Sequence, residues 1–302
     1  MMLKGNVPIL ATAFDLQGNV DLESIRKLVH FLLEQGIDGL ALFGNASEGY
    51  ALTGQEKAAI FRAVKEISGS LPLVAAAGGA SSRVAIEDIR QISAWGANVA
   101  MVNPPSVVKP GPDEIYRFFD DISVACDIDI MIQDAPLMTG VNMPVPTLVK
   151  LCQAFDNIKY IKVEQPPTTL KITQLKQALG DSIGLFGGLN GGFLFEELSR
   201  GIIGTMPACE FPDVINAVLS AWPEDSEKAR SLFYRYLPFL RYGVQPGLGV
   251  AIHKEVLHQA GIFATAVVRM PAKTLDDVTR RELRGITDAL PLAILGRKSE
   301  FA

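Results

Sequence analysis

The chain predicts an α/β fold, a (β/α)8 TIM barrel with a C-terminal three-helix extension. Three observations carry that reading. Short β-rich runs recur at intervals of roughly 25 to 35 residues, with helical patterns between them. Eight such runs can be counted, the number a closed barrel needs. No Gly-x-Gly-x-x-Gly follows the first run, which argues against a doubly wound sheet, the other fold that alternates strand and helix.

The elements follow in order. The first strand is expected over Val7-Pro8-Ile9-Leu10. Asp21 then reads as an N-cap, apolar residues recur at Ile25, Leu28, Val29, Leu32 and Leu33, and Gly36 stops the helix. The second strand is Gly39 to Phe43, with a helix over Gln55 to Ile67. Leu73 to Ala76 precedes a helix over Ser82 to Trp95, which Gly96 ends, a position easiest for glycine in a left-handed cap. Val99 to Val102 leads to a helix over Pro112 to Ala125. Strands five to eight are expected at Ile128 to Ile132, Tyr160 to Val163, Gly184 to Gly187 and Ile202 to Thr205. The barrel, residues 1–222, closes near residue 222. The extension, residues 223–302, reads as helices over 226–240, 248–260 and 274–290. It could be an appendage packed on the barrel, an oligomer contact or an active-site wall.

Composition excludes several function classes. No apolar run reaches the ~18 residues that a membrane-spanning helix needs, and the N-terminus shows no secretion signal. The net charge of −5 and the absence of a basic block argue against nucleic acid as a partner. Cys126, Cys152 and Cys209 are scattered and odd in number, which fits a reducing cytoplasm. His30, His253 and His258 have no metal-type spacing, so no metal site is expected.

The chemistry concentrates at Lys162. It stands in the apolar run Tyr160-Ile161-Lys162-Val163, whereas Lys159 precedes the run and reads as solvated. Burying an ammonium is expensive, and burial favours the free amine that attacks a ketone to make a Schiff base. A strand alternates faces, so Lys162 and Glu164 point one way while Ile161 and Val163 point the other. An amine and a carboxylate on one face suit chemistry at a carbonyl. A buried ion pair joining two layers is the alternative that the residues themselves leave open.

Functional groups of a barrel collect where its strands end. Those ends carry Gly44-Asn45-Ala46-Ser47-Glu48, Gly78-Gly79-Ala80, Asn103-Pro104, Gln133-Asp134-Ala135-Pro136, Gly187-Gly188-Leu189-Asn190 and, beginning at Ile203, Gly204-Thr205-Met206-Pro207. Backbone amides of the Asn45–Ser47 turn could cradle a carboxylate, although an ordinary glycine-bounded turn accounts for it too.

Gly44 to Glu48 with Leu52-Thr53 and Glu56, the Gly78-Gly79-Ala80 turn, the Pro104 loop, Gln133 to Pro136 with Thr139-Gly140, and Ile161-Lys162 resemble the Schiff-base lyase family that includes dihydrodipicolinate synthase and N-acetylneuraminate lyase, over nearly the whole chain. The resemblance implies that Lys162 is the Schiff-base lysine. It implies substrate contacts at Asn45, Ala46, Ser47, Gln133, Gly188, Asn190 and Ile203, no cofactor, a small 2-oxo acid substrate and a homo-oligomer, dimer or tetramer. The departures are informative. Asn45 and Ala46 stand where the family usually has two hydroxyl residues. Gln133 replaces the usual tyrosine and cannot act as acid or base. Met138 replaces the synthase's arginine, which argues against condensation with aspartate semialdehyde.

The runs Met131-Ile132-Gln133-Asp134-Ala135-Pro136 and Tyr160-Ile161-Lys162-Val163-Glu164, with Gly204-Thr205-Met206 to Phe211-Pro212-Asp213, are similar to the L-2-keto-3-deoxyarabonate dehydratase subgroup. There a glutamate two residues after the lysine stands in for the tyrosine, which agrees with the strand geometry of Glu164. The expected activity is therefore dehydration of a 2-oxo-3-deoxy sugar acid. Rivals are a pyruvate-dependent aldolase, a condensing synthase, a deaminating enzyme acting on a cyclic imino acid and, from another class, a non-catalytic keto-acid sensor.

Overall fold

The computed structural model describes residues 2–297, and within them eight parallel strands alternate with helices. In chain order these are β1 (Gly5–Asn6), α1 (Leu22–Glu34), β2 (Leu40–Leu42), α2 (Gly54–Ser68), β3 (Leu73–Ala77) and α3 (Ser82–Trp95). Next come β4 (Val99–Val102), α4 (Pro112–Ala125), β5 (Asp129–Asp134), the single turn α5 (Pro136–Thr139), α6 (Val145–Ala154), β6 (Ile158–Val163) and α7 (Thr168–Leu179). The barrel ends with β7 (Gly184–Gly187), α8 (Leu194–Leu198), β8 (Gly204–Thr205) and α9 (Pro212–Ala221). The extension supplies α10 (Ser226–Tyr242), α11 (Gly249–Gln259) and α12 (Asp277–Asp288).

The strands pair in sequence from β2 to β8, and β8 pairs with β1. Ile9 closes the ring, bridging in parallel to Ala41 on one side and Ala208 on the other. The first strand is thus split: a short ladder at Gly5–Asn6, then the Ile9 bridge, rather than one run over Val7–Leu10. Strand five extends further than expected, because Gln133 and Asp134 stay in register with Lys162 and Val163 of β6. Lys159 lies inside β6 but is exposed, so its solvated character stands although its place shifts.

Local chemistry sets the helix ends. Asp21 caps α1 by accepting from the Glu23 and Ser24 amides, and Thr53 with Glu56 forms a capping box on α2. Gly96 closes α3 at φ 98°.

Two apolar layers hold the molecule. Leu3, Val7, Val74, Met101, Met131, Tyr160 and Phe186 fill the barrel interior. The larger layer lies between the strands' outer faces and the helices, and Ile161 and Val163 belong to it. Burying a large apolar side chain contributes about 1.5–3 kcal/mol, so these layers outweigh the few polar groups inside. The alternation of β6 is therefore realised: Tyr160 and Lys162 face inward, Ile161 and Val163 outward. Among the described residues no helix is long and apolar enough to cross a membrane.

Candidate active site

Where the strands end, a cavity of about 450 Å³ opens. Barrel residues Asn45, Ala46, Gln133, Lys162, Glu164, Asn190 and Met206 form its floor and near wall, and the segment from Gly243 to His253 with Pro271 and Ala272 forms the far wall. The extension is thus a wall of the cavity.

Lys162 is 4% exposed. Its Nζ lies 3.2 Å from Glu164 Oε1. The same oxygen accepts from the Leu189 amide at 3.4 Å, and Oε2 accepts from Gln133 Nε2 at 2.8 Å. Gln133 Oε1 accepts in turn from Asn103 Nδ2 at 3.1 Å. The chain Asn103–Gln133–Glu164–Lys162 fixes the amide's orientation and presents the carboxylate beside the amine. Gln133 orients and does not transfer protons. Gly188 packs against Glu164: a Cβ there would stand 2.4 Å from Glu164 Cγ. Gly188 does not line the cavity; it makes room for the residue that does.

The turn after β2 is a single 3₁₀ turn, Asn45–Ser47. The Ser47, Glu48 and Gly49 amides fold back onto the Gly44 and Asn45 carbonyls, bonds that do not use the Asn45 and Ala46 amides at its head. Asn45 and Ala46 line the cavity. Ser47 does not; it is 2% exposed, and its carbonyl accepts from Thr12 Oγ1 at 2.6 Å.

The turn is fastened from behind by Glu48, which adopts φ 53° and is fully buried. Glu48 pairs with the equally buried Lys254 of α11, and its Oε2 accepts from the Arg269 amide at 2.7 Å. Burial pulls the Lys254 ammonium down to about 8, against the opposing pull of Glu48. A further buried pair, Lys171–Asp134 at 2.6 Å, sits under β5 and α7. Desolvation raises Asp134 and lowers Lys171, each partly offset by the other.

Of the remaining expected contacts, Ile203 lies away from the cavity and Asn190 lines it. Ile203 stands before β8, at the N-terminal end of the barrel, where it packs on the interior layer. Parallel strands put their site-bearing ends on the other side, and there β8 contributes Met206, Pro207 and Ala208. Asn190 does line the cavity, but its Nδ2 donates to the Leu240 carbonyl and its Oδ1 accepts from the Ala208 amide, both at 2.9 Å. It ties the β7 and β8 ends to α10.

Sequence reasoning missed a pair at the far wall. His253 lines the cavity, and its Nδ1 lies 2.6 Å from Oε1 of the buried Glu210. Forty-three positions separate them in the chain; Glu210 falls within the Gly204–Asp213 stretch, but nothing in that stretch points to His253. Tyr50, half-exposed, lines the cavity as well; burial of its ring, with the Glu48 charge, raises its hydroxyl. No group of three or more His, Cys, Asp or Glu capable of holding a metal is found among the described residues.

An amine touching a carboxylate at the floor of a cavity can form an imine with a 2-oxo acid and move a proton at the adjacent carbon. Comparison with known proteins agrees. The model of the dihydrodipicolinate synthetase family matches residues 2–290. The chain is 29% identical over 298 residues to an L-2-keto-3-deoxyarabonate dehydratase of Azospirillum brasilense, covering 97% of this chain and 96% of that protein. It is 27% identical over 288 residues to 4-hydroxy-tetrahydrodipicolinate synthase 2 of Halalkalibacterium halodurans, covering 94% and 97%. The crystal structure of dihydrodipicolinate synthase from Rhodopseudomonas palustris superposes with a TM-score of 0.89 at 26% identity, over 95% of this chain and 97% of that one.

Proposed function

The chain belongs to the dihydrodipicolinate synthetase family of lyases, and from that premise we propose that it dehydrates a 2-oxo-3-deoxy sugar acid such as 2-keto-3-deoxyarabonate. The observation that carries this reading is Glu164: a carboxylate 3.2 Å from the nucleophilic amine, held by Gln133 where a tyrosine relay is absent.

Lys162 Nζ adds to C2 of the substrate and water leaves, giving a protonated imine. The Asn45–Ala46 turn receives the C1 carboxylate. The imine draws electrons from C3, and Glu164 takes the C3 proton. The resulting enamine expels the C4 hydroxyl, which takes up a proton as the C4–O bond breaks and leaves as water, and hydrolysis of the conjugated imine frees Lys162. Positioned proton transfer of this kind contributes about 10²–10⁴-fold. Small 2-oxo acids are the ligands this cavity suits, and a dimer or tetramer of identical chains is proposed with it.

Two features support dehydration over condensation. Met138 stands at the cavity where an arginine would hold a second carboxylate, and its neighbour Leu137 is apolar as well. The relative from Azospirillum brasilense is a dehydratase by name.

Borohydride reduction in the presence of pyruvate or a 2-oxo-3-deoxy acid, followed by peptide mass analysis, tests the site, and product identification tests the reaction. The expected result is an adduct at Lys162 alone and a dehydrated product from the sugar acid. An adduct elsewhere, or efficient condensation of pyruvate with aspartate semialdehyde, would refute the reading.

A further inference from the structure

Elimination of water needs two proton carriers, a base for C3–H and an acid for the departing oxygen. Among the described residues only four side chains lining the cavity are of an acid–base type: Tyr50, Lys162, Glu164 and His253. In the mechanism above Lys162 is consumed in the imine and Glu164 takes the C3 proton. Tyr50 is half-exposed, and its hydroxyl is raised above its ordinary range, which makes it a poor donor near neutrality. His253 remains.

The geometry around His253 suits the second role. It is 6% exposed. Glu210, at 1%, engages Nδ1 at 2.6 Å, which fixes the ring and balances the charge of an imidazolium. Nε2 has no protein hydrogen bond among the described residues. The ring's outer edge lies in a slot left by two glycines of the cavity wall: a Cβ on Gly243 would stand 2.4 Å from Cε1, and one on Gly249 3.8 Å from Nε2. A ring clamped at one nitrogen, without a protein partner at the other and lining the same cavity as the Schiff-base lysine is placed to deliver a proton there.

We propose that His253, oriented by Glu210, is a catalytic residue that donates its Nε2 proton to the hydroxyl leaving C4. The assignment rests on the dehydratase reading. In the step, the enamine electron pair moves out to form the C3–C4 double bond, the C4–O bond breaks, and the Nε2 proton passes to that oxygen, so that water departs. Neutral His253 regains its proton from solvent while Glu164 releases the one it took from C3, so the cycle closes without oxidant or reductant. Glu210 touches no substrate and is a positioning residue.

The test compares two substrates, 2-oxo-4,5-dihydroxypentanoate and its analogue with fluorine replacing the C4 hydroxyl. Fluoride leaves as an anion and needs no full proton transfer. His253→Asn is expected to lose about 10²-fold or more in kcat on the hydroxy acid, with KM little changed. Its turnover of the fluoro analogue should match that of the unaltered protein, and borohydride should still trap the imine at Lys162. Glu210→Gln, which preserves the shape of the pair, should show the same pattern with a smaller loss and carries the test should His253→Asn fold poorly. Equal losses on both substrates, full turnover of the hydroxy acid, or the selective loss appearing in Tyr50→Phe instead would overturn the role of His253 while leaving the lysine chemistry standing. Failure of the unaltered protein to form any trapped imine would overturn the dehydratase reading, and this role with it.

Discussion

Replacing Glu197 with glutamine should make the stability of this protein respond to pH in a calculable way. Glu197 lies in α8, fully buried behind β7. Its Oε1 accepts from Thr168 Oγ1 at 2.6 Å, whereas Oε2 has no hydrogen-bond partner. Oε2 sits so close to Gly187 that a Cβ there would come within 2.2 Å of it. Burial lifts this carboxyl from 4.5 to about 7, with the charges of Glu164 and Glu196 adding to the rise and the Thr168 bond opposing it.

A carboxyl that holds its proton more tightly when folded gives its full relative stability below pH 4.5. That stability is lost as the pH climbs to about 7, and the loss is constant above that. At about 1.4 kcal/mol per pH unit the full loss is roughly 3 kcal/mol. Glutamine keeps the acceptor for Thr168 and never ionises. The stability of Glu197→Gln relative to the unaltered protein should therefore rise by about 2.5 kcal/mol between pH 5 and pH 8. Paired urea denaturation curves at several pH values measure this, since other titrating groups cancel in the difference. A difference independent of pH would show that Glu197 is already ionised in the fold and refute the argument.

Three further outcomes are expected. Glu164→Gln should still form the trappable imine while turnover falls at least ~10²-fold, and parallel loss of trapping would mark Glu164 as an ion-pair partner only. Gly188→Ala should push the Glu164 side chain from its place and lower kcat with little change in thermal stability; normal turnover would mean that the carboxylate's present position is unimportant. Lys254→Met should leave Glu48 buried without its cation, at a cost of about 3–5 kcal/mol, and raise KM through the loosened Asn45–Ala46 turn; unchanged melting and KM would refute that coupling.

The sequence carried the architecture because its signals are periodic. Glycine-bounded strands, amphipathic helices and caps such as Asp21 and Thr53 act over a few residues, and local chemistry decides them. Lys162 and Glu164 were legible for the same reason: strand alternation alone puts them on one face. What required folding was everything assembled across elements. Ile203 and Met206 are three residues apart, and only the closed strand shows that they occupy opposite ends of the barrel. Asn190 reads as a free polar group until Leu240 and Ala208 arrive to use both ends of its amide. His253 and Glu210 meet through the packing of α11 on the β8 end, which no spacing in the chain encodes.

The split first strand bears on how the chain is made. Gly5 and Asn6 pair with Gly204 and Thr205, and Ile9 must reach both Ala41 and Ala208. Phe14 and Gly18 wait longer still, for Thr265 and Arg269. At ribosomal rates of roughly 5–20 residues per second, about 10–40 s pass between synthesis of the first strand and that of its β8 partner. Through that interval Leu3, Val7 and Ile9 belong to an open sheet edge with apolar flanks, the kind of surface that pairs with other chains. The nascent protein is thus exposed to misassembly until β8 is made, and chains halted before residue 204 should aggregate far more readily than those halted after α11.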